Sequence, residues 1–144
     1  MARGETGFTN KGKLKLLQAF FQSETPPTNV YAYLVTNDSL PDADTNTLGE
    51  LVIIDASGKQ IELSLDSGDF DQAYEDDTND EARIQIKDLL FAGSITDASY
   101  VVLTDDNATE SNRIVYAYWN LGSVRQAASG SNLVVADLQF NLLE

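Results

Sequence analysis

The chain has no cysteine and no histidine. The two absences remove the common zinc sites, the Ser-His and Cys-His nucleophile pairs, and the most common general base near neutral pH. No disulfide staples the fold, so cysteine usage assigns no redox compartment. Any catalysis would have to come from Asp, Glu, Lys or Tyr. Proline is also scarce, with only Pro26, Pro27 and Pro41. Glycine-rich phosphate loops are missing: Gly4 and Gly7, or Gly122 and Gly130, do not match a nucleotide-binding spacing. No apolar run approaches the ~20 residues of a membrane helix, which predicts no membrane partner. Residues 1–13 hold only Met1, Ala2 and Phe8 as apolar, so no signal peptide is expected there.

Positive charge is the last scarcity. Nine Lys and Arg face 23 Asp and Glu, for a net charge of −14. The few cations are unevenly placed. Residues 1–15 carry Arg3, Lys11, Lys13 and Lys15 against Glu5, and are net positive, while the remainder is strongly negative. An acidic body repels phosphate, so nucleic acid is not an expected partner. The basic leading segment suits an acidic protein surface, or is simply solvated.

What is present points to one β-rich domain spanning 1–144. The length suffices for a single core, and 42% hydrophobic residues exclude global disorder. The start reads as a basic arm over residues 1–9 and a helix over 10–24. Thr9 and Asn10 are good N-caps. Leu14, Leu17 and Phe21 recur at helical spacing, with Leu16 and Phe20 as a second pair, so the pattern predicts an apolar face packed on the body. Pro26 and Pro27 end the helix. Strands follow. Val30, Ala32 and Leu34 alternate with Tyr31, Tyr33 and Val35. After a polar loop over 37–47, residues 51–54 and 61–65 flank a turn signal at Asp55–Lys59 and predict a hairpin. Further strands are expected around residues 83–91, at 100–104 with 113–119 as its partner across a polar connection, and at 124. A last run over 133–143 is expected to place Val134, Ala136, Leu138, Phe140 and Leu142 on one side. About eight strands without a βαβ pattern predict a mainly β fold, an antiparallel β-sandwich of jelly-roll type with one N-terminal α-helix.

Two features outside this pattern bear on chemistry. Residues 66–81 hold eight carboxylates in sixteen positions. A hard cation such as Ca²⁺ takes six to eight oxygens, but the EF-hand spacing is absent, so the segment reads either as a cation loop or as a solvated acidic face. No metal ligand, catalytic residue or cofactor is assigned. The second feature is aromatic. Strand parity puts Tyr31 and Tyr33 on one face, and Tyr116 and Tyr118 together on a face with Ile114, opposite Trp119. Such tyrosines are candidate interface residues, or core residues with their hydroxyls at the rim.

The opening Gly7-Phe8-Thr9-Asn10-Lys11-Gly12-Lys13-Leu14-Lys15-Leu16-Leu17, then Phe21 and Thr25-Pro26-Pro27-Thr28, Tyr31, Leu34 and Thr36, resembles the start of small tailed-phage virion proteins. These are capsid decoration (cement) proteins and related head or tail accessory proteins. The likeness extends to Tyr100–Asp105, Ile114–Trp119, Leu121, Val124, Gly130 and Leu133, and covers about half the chain. The acidic 66–81 segment departs from it. The resemblance implies a non-enzymatic structural virion protein, made in the host cytoplasm and bound to the capsid exterior. It implies the major capsid protein as partner, self-association as a homotrimer, and stabilisation of the shell by bridging capsid subunits. On that reading Arg3, Lys11, Lys13 and Lys15 form a candidate capsid-contact arm. The alternatives are a phage tail or fibre accessory protein and, in a different class, a carbohydrate-binding or hydrolytic β-sandwich that uses the acidic loop.

Overall fold

The computed structural model describes residues 7–54 and 59–143. Among these residues the fold is mainly β, with antiparallel sheets and a single α-helix. Strand β1 (Gly7–Phe8) leads into helix α1 (Asn10–Phe21). Strands β2 (Asn29–Thr36), β3 (Ile61–Ser64), β4 (Tyr74–Asp76), β5 (Glu81–Gln85), β6 (Leu89–Ala92) and β7 (Ile95–Thr104) follow. Strands β8 (Val115–Ala127), β9 (Asn132–Val135) and β10 (Gln139–Leu143) complete the chain. A five-stranded sheet has the order β1-β8-β7-β2-β3, beside a three-stranded sheet β10-β5-β4 and a two-stranded sheet β6-β9.

The period-two pattern of β2 explains the layering. Val30, Ala32 and Leu34 face the main core, and Tyr31, Tyr33 and Val35 face the other side. The main core lies between the large sheet and the two small ones. Val101, Leu103, Ala117 and Trp119 meet Ile86, Leu89, Phe91, Leu133 and Leu138 there. On the opposite face the connection between β2 and β3 folds back over the sheet. Its Leu48, on a 3₁₀ turn at Leu48–Glu50, is buried with Tyr33, Val35, Val102 and Val115. The large sheet is thus covered on both faces, giving a β-sandwich with a smaller second core.

Several expectations change. The predicted hairpin of 51–54 with 61–65 does not form. Ile53 bridges to Val35 and β3 pairs antiparallel with β2, so both segments lie along the same edge of β2 rather than against each other. The β2 face that carries Tyr31, Tyr33 and Val35 is covered by Leu48, Leu51 and Ile53 of this connection. The last run is not one strand. Asp137 adopts a left-handed conformation (φ 62°), which short polar side chains tolerate, and resets the register between β9 and β10. Leu133 and Val135 are therefore buried before Asp137 and Leu138 after it, while Val134 is exposed.

The largest correction concerns the helix. It ends at Phe21 rather than near residue 24, because Ser23 turns left-handed and the Gln18 carbonyl accepts from both Gln22 and Glu24 N–H groups. Its Leu14, Leu17 and Phe21 do not pack on the sandwich: they are 44%, 57% and 73% exposed. The face turned to the body is set by Gly12 instead. A Cβ there would lie 2.0 Å from the Tyr116 carbonyl oxygen, so only glycine lets the helix sit directly on the β8 backbone.

Candidate functional site

The helix is held at its first turn. Thr9 is fully buried, and its hydroxyl accepts from the Gly12 N–H (2.9 Å) and donates to the Val115 carbonyl (2.5 Å). The Thr9 N–H donates to the Tyr116 carbonyl at 3.1 Å. The register of β8 against β7 shifts here: Leu103 pairs with Ala117, but Thr104 pairs with Val115. This bulge turns Tyr116 to the main-core side while Tyr118 stays on the other. The expected shared face of Tyr116 and Tyr118 is therefore not formed, because strand parity breaks between them.

Beyond this anchor the helix diverges from the sandwich and leaves a cleft of about 960 Å³. One wall is the helix, through Leu16 and Ala19, continued by Pro26 and Pro27. The facing wall is β5 and β10, through Ile84 and Leu142. The floor is aromatic. Phe8 stacks on Phe140 (5.2 Å between ring centroids) and Phe70 lies 6.4 Å from the same ring; beneath the floor, buried Trp119 meets Phe140 edge-on at 5.1 Å. Carboxylates sit at the rim: Glu24, Asp66, Asp71, Asp105 and Asp106. The two cations of the lining are already engaged. Lys15 pairs with Glu24 at 2.6 Å, and Arg83 bridges Glu81 and Asp76. Tyr116 also lines the cleft, and burial together with Asp105 and Asp106 pushes its phenol well above the usual range, so it stays protonated. The cleft is therefore apolar inside, acidic at its edge, and without a free cation among the described residues.

The sequence-predicted residues are dispersed. Arg3 lies outside the described residues. Lys11 and Lys13 are exposed on α1, without an ion pair among the described residues, whereas Lys15 is spent on Glu24. The arm is not free up to residue 9, since Gly7 and Phe8 pair with Tyr118 and Ala117. Tyr33 is 2% exposed, with its hydroxyl within 2.9 Å of Gln60 and 3.0 Å of Glu110 and accepting from Arg113; burial pushes its pKa up to about 12. Tyr31 donates to Glu62 at 2.9 Å beneath the Arg113 guanidinium, 4.1 Å from the ring centre. These two tyrosines build the polar margin of the second core.

Much of the acidic segment is also structured. The Asp69 carboxylate accepts from the Ser64 N–H (2.6 Å) and pairs with Lys87 (2.5 Å), which holds it below the usual carboxylate range, chiefly through Lys87. Asp76 accepts from Thr78 and Asn79 and closes the turn between β4 and β5. Among the described residues no group of three or more acidic side chains is arranged to hold a metal ion, and no helix is long and apolar enough to cross a membrane.

The cleft was missed by sequence reasoning because Phe8, Phe70 and Phe140 come from distant segments with no shared spacing. One signal was available. Leu14, Leu16, Leu17, Phe20 and Phe21 surround more of the helix than one packed face requires. Comparison with protein-family models, with curated proteins and with solved structures finds no match.

Proposed function

We propose that this protein is a structural component of a tailed-phage particle, a decoration protein that binds the capsid exterior and bridges major capsid proteins. It acts by binding rather than by chemistry. The observation that carries the reading is the uncovered helix. Five large apolar side chains, Leu14, Leu16, Leu17, Phe20 and Phe21, stand exposed on a helix of twelve residues. Monomeric soluble proteins rarely leave such a contiguous patch open, so the surface suits a chain that works within an assembly. The same segment carries the resemblance to virion decoration proteins. Each contact on a shell is modest, and repetition over many copies makes the sum large.

The test is reconstitution. Purified protein is added to capsids assembled without it, and binding is followed by co-sedimentation together with the temperature at which the particles rupture. The expected result is saturable binding and a higher rupture temperature. Phe20→Asp with Phe21→Asp should weaken binding, whether the helix meets the shell or a neighbouring copy on it, while the variant remains folded because both rings are exposed. Capsids that neither retain the protein nor gain stability from it would overturn the reading.

A further inference from the structure

We infer that the cleft is a docking site for helix α1 of a second copy of this chain. The inference stands on the helix and the cleft and does not depend on the virion reading.

The chemistry of the cleft defines its guest. Phe8, Phe70, Phe140 and Leu142 offer apolar surface, so the guest must be apolar on the inserted face. The rim carboxylates Asp66, Asp71, Asp105 and Asp106 have no cationic partner among the described residues, and Lys15 and Arg83 are already paired. An anionic guest, such as a fatty acid or a phosphate group, would meet repulsion from these carboxylates and no free cation. A guest with positive charge at one end is favoured.

The chain itself presents such a guest. On the side of α1 turned away from its own cleft lie Leu14, Leu17, Phe20 and Phe21, with Phe20 81% exposed. Lys11 and Lys13 stand at the N-terminal end of the same helix without ion pairs among the described residues. Among the described residues the body offers no comparable element, and Arg125 donates to the Leu121 carbonyl at 3.1 Å. Lys59 is buried against the Ala92 and Ser94 carbonyls, Lys87 pairs with Asp69, and Arg113 is engaged with Tyr31 and Tyr33. The basic, apolar helix and the acidic, apolar cleft are thus complementary in both charge and polarity, and they belong to one molecule. A reciprocal pair, or a head-to-tail ring, covers every helix face and fills every cleft.

Sedimentation of the full chain over a range of concentrations tests this, with two exposed-surface variants. The helix variant is Phe20→Asp with Phe21→Asp. The cleft variant is Leu65→Arg with Leu142→Arg, which places two cations in the apolar lining; both leucines are solvent-exposed, so the fold should survive. Wild type is expected to associate as concentration rises, and each variant alone is expected to remain a monomer. An equimolar mixture of the two variants should associate again, because an intact helix on one then meets an intact cleft on the other. Lys11→Glu with Lys13→Glu should weaken association. Ala82→Arg, an exposed residue in the same lining, is an independent cleft variant should the leucine pair fail to fold. A wild-type chain that stays monomeric throughout, whatever else it binds, overturns the inference. Association that survives in the folded cleft variants also overturns it, since the helices would then be pairing with each other outside the cleft.

Discussion

Strand β7 and helix α1 are both rich in large apolar side chains. In β7, Ile95, Val101, Val102 and Leu103 are all buried, because the strand lies between β8 and β2 with a core on each face. In α1, Leu14, Leu16, Leu17, Phe20 and Phe21 are all exposed, because the helix seats on the sheet through its Gly12 face and turns these side chains away from it. Both elements are rich in large apolar residues, each at the spacing of its own secondary structure, and the neighbours differ. Apolar spacing in a sequence states which side chains want cover. It does not state whether the cover comes from the same chain.

Mutations can sharpen that contrast. The largest effect is expected in the main core. Trp119 is fully buried and its indole N–H donates to the Gln139 carbonyl at 3.1 Å, so Trp119→Ala should cost about 3–5 kcal/mol in chemical denaturation. Gly12→Ala comes next. The helix would gain some propensity, but the new methyl collides with the Tyr116 carbonyl, and a net loss of about 1–3 kcal/mol is expected. A gain in stability there would break the account of how the helix is seated.

Tyr33 gives a pH signature. Its folded pKa lies above its unfolded value of about 10, so the stabilisation from keeping the phenol neutral is fully present below about pH 10. It is lost as pH rises toward about 12, since the unfolded chain ionises first. Tyr33→Phe should cost about 1 kcal/mol at neutral pH and should flatten the alkaline decline in melting temperature. The smallest effect is expected on the helix. Leu17→Ala should change the stability of the isolated monomer by less than about 0.5 kcal/mol. A loss of 2–4 kcal/mol, the amount expected for a buried leucine, would show that the helix is covered by its own chain after all.

Local signals were legible wherever short-range chemistry decides the structure. The Thr9 cap, the β2 alternation and the pairing of 100–104 with 113–119 all follow from residues close in sequence. The misreadings share a cause. The 51–54 segment pairs with β2 instead of with 61–65, the β8 bulge separates Tyr116 from Tyr118, and Asp137 divides the final run. In each case one residue of offset, or a competing partner, reverses the side-chain parity, and parity is invisible until the partner strand is known. The cleft was illegible for a related reason, since its floor joins residues from the start, middle and end of the chain. The acidic segment resembled a solvated loop, yet Asp69 and Asp76 each serve a local turn or ion pair. Composition alone does not separate those roles.

The one-ended attachment of α1 has a mechanical consequence. A helix of twelve residues is about 18 Å long, and this one is clamped at Thr9 and Gly12, with its far end returned through the exposed Ser23–Pro26 turn. That is a cantilever. Small tilts at the clamp would become larger displacements at Phe20 and Phe21, which would let the tip adjust to its seat. Amide exchange should record the gradient, slow in the first turn and fast toward the tip, and seating the tip should level it.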